Sequence, residues 1–395
     1  MTVRTGVQFL AIPGPTNVPD QVLAAMHQPA VDIYTGPLLE LTDRTLADLK
    51  KVFKTDGNTY IYASNGHGAW EAALTNTLSR GDTILVLESG RFALGWGEMG
   101  EKLGLEVEVL PGSWHHGVDA NRLEDHLRAD KENKIKAVLV VQVDTASSAQ
   151  NDIARLRSAI DAAGHPALFM VDTIASLGTV DFRMDEWSVD VAVAGSQKGL
   201  MTPPGLSFVA ASDKAKKAHG TADLVTYYWD WTFREGPEHY QKYCGTPPEH
   251  LLFGQRKALD MILEEGLDNV FLRHQLLCGA VHSALEVWSE KGTLSFNITE
   301  PADRAQSVTT VLFDRPHDPG ALRQLCEETF GVTIGSTIGD INGKGIRIAH
   351  MGYVNGPMIL GTLGALEVSL GLLNIPHGSG GLQKAADSLA VGLAK

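Results

Sequence analysis

The chain has 395 residues, of which 44% are hydrophobic and 20% are charged, and its formal net charge at pH 7 is −14. This length is sufficient for two domains with sizeable cores. An acidic balance without a block of lysine or arginine argues against a nucleic-acid partner and against binding to an anionic membrane surface. No apolar run approaches the roughly 18 residues that a membrane-spanning helix needs.

Three cysteines, Cys244, Cys278 and Cys326, lie far apart and show no paired spacing. This pattern predicts neither a disulfide framework nor a zinc site, and it indicates a reducing compartment. The apolar patch at residues 7–12 is too short for a signal peptide and is stopped by Pro13. We therefore expect a cytoplasmic protein.

The first twenty residues, with Pro13, Pro15 and Pro19, are predicted to form an extended arm outside the sheet. From about residue 59 to 212, short β-rich runs alternate with stretches of helical spacing such as 153–163. Seven strands are predicted, at 60–63, 83–88, 106–110, 137–143, 167–172, 189–194 and 206–211. Because several runs are apolar on both faces, they predict a mainly parallel seven-stranded α/β sheet covered by helices on both sides.

The rest of the chain predicts a second, smaller unit. Residues 213–250 are rich in aromatic residues and are predicted to form an irregular connection, packed on the core or on a partner subunit. A long helix is predicted at about 251–289. Separated strands and helices follow at 307–312, 319–330, 346–350 and 357–373. We expect an arm at 1–20, a large domain at 21–275 and a small α+β domain at 276–395.

Two polar residues follow the ends of predicted buried strands. Asp172 ends the run 167–172, and Lys198 comes just after the run 189–194. A buried lysine has a lowered pKa and can form a Schiff base. A carboxylate at such a strand end can hold a pyridinium nitrogen protonated, which is the arrangement that pyridoxal phosphate chemistry needs. A surface lysine and a helix-capping aspartate are the alternative.

A glycine-rich turn, 64–71, follows the first predicted strand and opens a helix; it contains Asn65, Gly66 and His67. Glycines let the backbone approach a phosphate, and the free N–H groups of a helix start favour an anion. The turn is neither a Walker loop nor a GxGxxG fingerprint, so nucleotide binding is disfavoured. A tight turn with a small-residue cap is the alternative.

Three further positions are candidates for ligand contact. Phe92 follows the second strand, where its ring is placed to stack on a flat ligand or to pack in the core. Asp144 and Thr145 end a strand and suit either a ligand hydrogen bond or ordinary turn chemistry. Arg347 lies between isoleucines in an apolar strand, so its guanidinium needs a partner. That partner is a substrate carboxylate, an intramolecular carboxylate or, for an outward-facing arginine, solvent.

Together these motifs resemble the fold-type I, class V pyridoxal phosphate aminotransferases, and among them the serine–glyoxylate and alanine–glyoxylate enzymes. The resemblance runs from about residue 13 to residue 380. The segments that carry it are Pro-Gly-Pro-Thr at 13–16, Asn-Gly-His at 65–67, Val-Asp at 171–172, Gly-Ser-Gln-Lys at 195–198, Tyr-Cys-Gly-Thr-Pro-Pro at 243–248 and Gly-Ile-Arg-Ile at 345–348.

The resemblance implies a pyridoxal 5'-phosphate cofactor and a homodimer with shared active sites. Lys198 would be the Schiff-base lysine and proton carrier, and Asp172 would pair with the pyridine nitrogen. Phe92 would stack on the ring and Thr145 would contact the cofactor. The phosphate would be bound by Asn65, Gly66, His67 and Gln197, with Tyr243 and Thr246 from the neighbouring subunit. Arg347 would hold the substrate carboxylate, and Tyr34 would lie near the substrate.

The implied reaction is ping-pong transfer of an amino group from a small amino acid, with serine or alanine favoured, to glyoxylate or a related 2-oxo acid. The stretch around Tyr34 departs from the Asp-His-Arg-Ser-like sequence of relatives. A different donor, such as aspartate or an unusual amine, with glyoxylate or pyruvate as acceptor therefore stays open. A cysteine desulfurase-like lyase is a further alternative, although Cys326 has the pattern of buried helix packing. An inactive cofactor-binding scaffold would predict the loss of Lys198, Asp172 or Arg347, all of which are present.

Overall fold

The strands form a seven-stranded sheet, a five-stranded sheet and a two-stranded hairpin within the residues that the computed structural model describes, 6–224 and 226–394. In chain order they are β1 (Phe9–Ala11), β2 (Asn58–Tyr62), β3 (Thr83–Leu87), β4 (Glu106–Leu110), β5 (Ile135–Val141), β6 (Val143–Asp144), β7 (Ala149–Gln150), β8 (Leu168–Asp172), β9 (Val191–Gly195), β10 (Ser207–Ala211), β11 (Leu294–Phe296), β12 (Val308–Phe313), β13 (Val332–Ser336) and β14 (Gly345–Ala349).

The α-helices are, in chain order, α1 (Asp20–Met26), α2 (Pro37–Phe53), α3 (Gly66–Thr77), α4 (Arg91–Leu103), α5 (Ala120–Ala129), α6 (Ile153–Ala163), α7 (Asp213–His219), α8 (Trp231–Arg234), α9 (Glu249–Glu265), α10 (Leu267–Trp288), α11 (Pro319–Phe330), α12 (Gly356–Leu372) and α13 (Gly381–Leu393). Short 3-10 helices lie at His239–Tyr243, Ser289–Lys291, Pro301–Asp303 and Gly339–Ile341. Among the described residues, none of the helices combines the length and the apolar character that crossing a bilayer requires.

The seven-stranded sheet has the order β2-β10-β9-β8-β5-β3-β4 and confirms the predicted fold class. Its neighbouring strands are parallel except at β10, which runs antiparallel to β2 and β9. Along β3, Ile84 and Val86 pack into the core on one face of the sheet, and Leu85 and Leu87 pack into the core on the other. Burial on both faces explains why the strands read as continuous apolar runs.

The five-stranded sheet has the order β1-β13-β14-β12-β11 and includes part of the predicted N-terminal arm. Strand β1 lies outside the seven-stranded sheet, as predicted, but pairs in parallel with β13 at the edge of the second sheet. The side-chain amide of Asn17 satisfies backbone groups of this short strand, because it donates to Leu10 O at 2.7 Å and accepts from Leu10 N at 2.9 Å. Three residues are too few for a periodic signal, so the sequence did not reveal this strand.

The prediction of a single long helix at 251–289 is wrong, because Gly266 separates α9 from α10. Gly266 has a φ of +83°, outside the helical region, and still donates its N–H to Ile262 O. Helix α10 crosses the position at which the large and small domains were divided, so that division stays a prediction. Residues 213–250 contain α7, α8 and a 3-10 helix, with Trp231 buried and stacked on Tyr60 at 5.0 Å.

Asp190 joins β8, β9 and the segment after β10, and a substitution there tests this part of the fold. Its buried carboxylate accepts hydrogen bonds from Phe169 N (2.8 Å), Ser212 Oγ (3.0 Å) and Lys214 Nζ (3.1 Å). We expect Asp190→Ala to lower the free energy of unfolding by about 1–3 kcal/mol, because the buried Phe169 N–H loses its acceptor. Urea unfolding measures the change.

The matched control is Lys214→Ala, which removes only the half-exposed partner of Asp190. Its expected cost is below about 1 kcal/mol. Equal losses in the two variants would show that the ion pair, and not the buried backbone contact, stabilises this corner of the sheet.

Candidate functional site

A cavity of about 190 Å³ lies at the carboxyl ends of the parallel strands. Its lining includes Asn65, Gly66, His67, Trp70, Phe92, Thr145, Asp172, Ile174, Gln197 and Lys198. Eight predicted site residues are therefore brought together, because the carboxyl ends of parallel strands meet at one edge of a sheet. A larger cavity of about 330 Å³ is bounded by α2, β2 and residues near Arg234 and is lined by neither Asp172 nor Lys198.

Lys198 lies three residues beyond β9, and its amine points into buried space. The Nζ atom donates a hydrogen bond to the carbonyl oxygen of Pro13. Burial, reinforced by the positive charge of Arg347, lowers the pKa of the Lys198 amine to about 8. A Cβ atom on Gly14 would lie 2.6 Å from this amine, so glycine is required where the arm passes the lysine. The amine is thus available in its neutral form near physiological pH.

Asp172, the last residue of β8, has a fully buried carboxylate held by two donors. Oδ2 accepts from Trp70 Nε1 at 2.7 Å, and Oδ1 accepts from Ile174 N at 2.6 Å. Burial raises the pKa of Asp172 to about 7, and the two donors act in the opposite direction. Trp70 lies within the turn at 64–71, but the sequence did not predict its contact with Asp172. Trp70 and Asp172 are 102 residues apart in the chain, so no local pattern indicates that they are in contact.

The turn before α3 forms one end of the cavity. Asn65 caps the helix by accepting from His67 N at 3.1 Å, which fixes the first turn of N–H groups. A Cβ atom on Gly66 would lie 2.3 Å from Ile174 Cδ1, so a larger residue there would displace the Ile174 side chain that lines the cavity. The buried Oε1 of Gln197 has no hydrogen-bond partner among the described residues.

These features fit the cofactor that the resemblance implies. A helix N-terminus suits a phosphate, and the glycine leaves space for it. The amide oxygen of Gln197, which also lines the cavity, is a buried polar group without a hydrogen-bond partner among the described residues. A buried amine and a buried carboxylate supply the groups that an aldehyde and a pyridine nitrogen require. The donor set therefore matches pyridoxal phosphate.

Asp144 positions Phe92 and Thr145 without lining the cavity itself. Its buried carboxylate accepts from Phe92 N (2.9 Å) and Ala93 N (3.1 Å) at the start of α4, and from Ala146 N (2.9 Å) in its own turn. Burial raises the pKa of this carboxyl. The sequence drew attention to Asp144 but did not show that it joins two loops, because that role depends on a contact distant in the chain.

Arg347 is buried beside the cavity on β14, with 8% of its surface exposed. Its Nε donates to Ser336 O at 2.5 Å and its Nη1 to Thr145 O at 2.8 Å; among the described residues it donates to no carboxylate. Burial lowers the pKa of Arg347 to about 10, and the charge of Asp144 acts in the opposite direction. Of the three predicted partners, an intramolecular carboxylate and bulk solvent are thus both wrong.

Three predicted site residues lie away from the cavity of their own subunit. Tyr34 is 64% exposed. Tyr243 is buried, with its hydroxyl 2.7 Å from Thr42 Oγ1, and Thr246 is exposed. Their roles toward a neighbouring subunit or a substrate stay predictions.

His350, which follows β14, is buried on the side of the sheet that packs against α10. Its Nδ1 lies 2.9 Å from Gln306 O and its Nε2 lies 2.9 Å from Thr309 Oγ1. Burial lowers the pKa of His350 to about 3, so the ring is neutral. This residue is separate from the cavity.

Comparisons with known proteins agree with this geometry. A family model described as aminotransferase class-V matches residues 8–351. The chain is 40% identical over 377 residues to a serine–glyoxylate aminotransferase of Methylorubrum extorquens, covering 93% of this chain and 92% of the relative. It is 38% identical over 368 residues to an L-aspartate–glyoxylate aminotransferase of Paracoccus denitrificans, covering 92% of this chain and 91% of the relative. The solved ureidoglycine–glyoxylate aminotransferase of Bacillus subtilis is 26% identical, with a TM-score of 0.88 and coverage of 98% of this chain and 99% of that chain.

Because the pKa of Asp172 is raised, we predict how the free energy of unfolding of the cofactor-free protein depends on pH. Between pH 4 and 7 the folded protein retains a proton on Asp172 that the unfolded chain has lost, so this group lowers the free energy of unfolding as pH rises through that window. Asp172→Asn removes the effect. We expect the stability of the variant relative to wild type to increase by up to about 4 kcal/mol from pH 4 to 7 and then to level off.

Urea unfolding at several pH values measures this difference. The asparagine amide satisfies Trp70 and Ile174 less well than a carboxylate, but that cost does not depend on pH. The change of the stability difference with pH therefore reports the Asp172 pKa. Parallel stability curves for the two proteins would show that the Asp172 pKa is not raised.

Proposed function

Because this chain belongs to the aminotransferase class-V family, we propose that it transfers the amino group of a small amino acid, with serine or alanine favoured, to glyoxylate or a related 2-oxo acid. Family membership makes the protein a transaminase with pyridoxal phosphate as its cofactor. The observation that carries the proposal is the buried guanidinium of Arg347 next to a cavity lined by Lys198 and Asp172; among the described residues this guanidinium donates to backbone carbonyls and to no carboxylate.

Asp172 holds a proton at the ring nitrogen. When bound, pyridoxal phosphate supplies a conjugated ring that accepts the electron pair left on the substrate α-carbon. A protonated ring nitrogen is the best acceptor of that charge, and a buried carboxylate beside it favours the proton there. Trp70 and Ile174 support this role, because their hydrogen bonds favour the ionised carboxylate over the neutral acid.

Lys198 moves the proton of the substrate α-carbon. Its amine has a pKa of about 8, so it accepts a proton in one step and returns it in the next without a large energetic penalty in either direction. Burial also keeps water from competing for the proton. The carbonyl oxygen of Pro13 holds the amine when it is not attached to another group.

Arg347 binds the carboxylate that both substrates share. An amino acid and a 2-oxo acid each carry a carboxylate next to the reacting carbon, so one guanidinium serves both half-reactions. Because the same guanidinium would hold both carboxylates, the two substrates occupy the same place in turn. Alternate occupation of one site gives ping-pong kinetics.

Aspartate is the second candidate donor. It is supported by the relative named L-aspartate–glyoxylate aminotransferase, which is nearly as similar as the serine–glyoxylate relative. The loop around Tyr34, where this chain departs from the family pattern, is the place to look for donor preference. Asp32 shapes that loop by accepting from Tyr34 N at 2.7 Å and from Thr35 Oγ1 at 3.1 Å.

Cysteine desulfuration has little support. A desulfurase needs an accessible thiolate of lowered pKa. Cys278 and Cys326 are buried, and the pKa of each of the three thiols is raised by burial.

The proposal also includes a homodimer, in which Tyr243 and Thr246 reach the phosphate bound by the partner subunit. Cytoplasmic location belongs to the proposal as well, supported by three free cysteines.

Substitution of Lys198 and Arg347 tests the assigned roles. Lys198→Ala is expected to abolish transamination, because no other amine lines the cavity among the described residues. Arg347→Ala is expected to raise KM for both substrates and to lower kcat/KM by roughly 3–5 kcal/mol in free-energy terms, because the substrate carboxylate loses its charge partner. Steady-state kinetics with each substrate varied in turn measures both effects.

Matched controls separate these effects from general damage. Lys134→Ala removes an exposed lysine, and Arg122→Ala removes an exposed arginine on α5. Both should retain near wild-type kinetics. Normal turnover by Lys198→Ala, or an Arg347→Ala variant with unchanged KM for both substrates, would contradict the assignment.

Visible absorption of the purified holoenzyme identifies the donor. The true donor is expected to bleach the cofactor's visible band, and glyoxylate is expected to restore it, because each half-reaction changes the ring's conjugation. Bleaching by serine or alanine supports the leading proposal, and bleaching by aspartate alone supports the second. A band that none of the three amino acids alters would overturn both.

A further inference from the structure

Three metal-ligating side chains converge outside the cavity, between α10 and the second sheet. Cys278 and His282 lie one turn apart on the same face of α10, and His350 follows β14. One ligand atom of each, the sulfur or a ring nitrogen, lies within 4.8 Å of the others. None of these residues contributes to the proposed aminotransfer.

The separation of the ligand atoms matches tetrahedral zinc. Cys278 Sγ lies 3.5 Å from His282 Nε2. Zinc–sulfur and zinc–nitrogen bonds of about 2.3 and 2.0–2.1 Å at a tetrahedral angle place a sulfur and a nitrogen roughly 3.5 Å apart. The same sulfur lies 3.8 Å from His282 Nδ1, so the half-buried His282 ring must rotate to direct its Nε2 lone pair at an ion shared with Cys278.

His350 presents the correct nitrogen to the cluster. Its Nδ1 faces Gln306 O, and because a carbonyl can only accept, Nδ1 carries the proton and Nε2 has the lone pair, which accepts from the Thr309 hydroxyl until an ion replaces that hydrogen bond. A backbone carbonyl that orients a histidine in this way is typical of metal sites. The hydroxyl oxygen of Thr309 lies 2.9 Å from His350 Nε2 and 3.2 Å from His282 Nε2, which gives the cluster an oxygen for a fourth position.

A small cavity lies beside the cluster. Its volume is about 10 Å³, about that of one water molecule, and it is lined by His282, Thr309 and Arg304 among others, but not by Cys278 or His350. The Arg304 guanidinium stacks 3.6 Å above the Phe296 ring and donates to the carbonyl oxygen of Ile298. Burial lowers the pKa of Arg304, and the charges of Glu286 and Glu300 act in the opposite direction.

We propose that Cys278, His282 and His350 bind one zinc ion, with the hydroxyl oxygen of Thr309 in the fourth position. On binding, the Cys278 thiol releases its proton to solvent and its sulfur forms the metal bond, while each histidine donates the lone pair of a neutral ring nitrogen. The thiolate offsets one of the two charges of the ion. The ion would tie α10 to the end of β14, the strand that carries Arg347.

Zinc content of the holoenzyme tests this site. The protein, free of any histidine tag, is stripped with a chelator, exposed to Zn²⁺, desalted and assayed by elemental analysis. Wild type is expected to retain one zinc per chain. Cys278→Ser and His282→Gln are expected to retain none, and the half-buried His282 offers a variant that folds if the cysteine variant does not.

The remaining cysteines provide matched controls. Cys326→Ser removes a buried thiol that contacts Ser369 Oγ, and Cys244→Ser removes the most accessible thiol. Both variants should retain one zinc per chain. X-ray absorption at the zinc edge should show one sulfur at about 2.3 Å in wild type and both controls.

Added Zn²⁺ should also raise the Tm of wild type and leave that of Cys278→Ser unchanged, because an ion that binds only the folded state stabilises it. Three outcomes would overturn the proposal: no retained zinc in wild type, retained zinc in both Cys278→Ser and His282→Gln, or a zinc edge without sulfur.

Discussion

The burial of charge at one edge of a parallel sheet is the constraint on which the rest of the structure depends. Removing a carboxylate or a guanidinium from water costs several kcal/mol unless the protein replaces the lost hydrogen bonds. Here the backbone supplies most of the replacements. Ile174 N supports Asp172, three N–H groups support Asp144, and two carbonyl oxygens support Arg347. The loops at the strand ends therefore have the conformations that these buried groups require.

The sequence predicted the parts of the fold in which local pattern and tertiary structure agree. Continuous apolar runs located the seven strands because both faces of that sheet are buried, and polar residues at their ends marked Asp172 and Lys198. Prediction failed where one backbone angle decides the outcome, as at Gly266, or where a strand is only three residues long, as in β1. Neither case leaves a periodic signal.

Contacts between distant segments were the part of the sites that the sequence did not reveal. The motifs placed eight residues around one cavity, but the pairing of Trp70 with Asp172 and of Asp144 with the start of α4 emerges only in three dimensions. The same holds for Cys278, His282 and His350. Cysteine spacing indicated no zinc site, because only two of these residues share a helix and no pair of cysteines is involved.

The N-terminal segment links the two sheets at Lys198. Strand β1 belongs to the five-stranded sheet, Pro13 accepts the hydrogen bond of the Lys198 amine, and Thr16 bonds to Lys198 O at 3.0 Å. Four residues, 12–15, thus span between two fixed attachments. Because the five-stranded sheet also carries Arg347, the position of that sheet and the contact between Pro13 and the Lys198 amine are linked through these four residues.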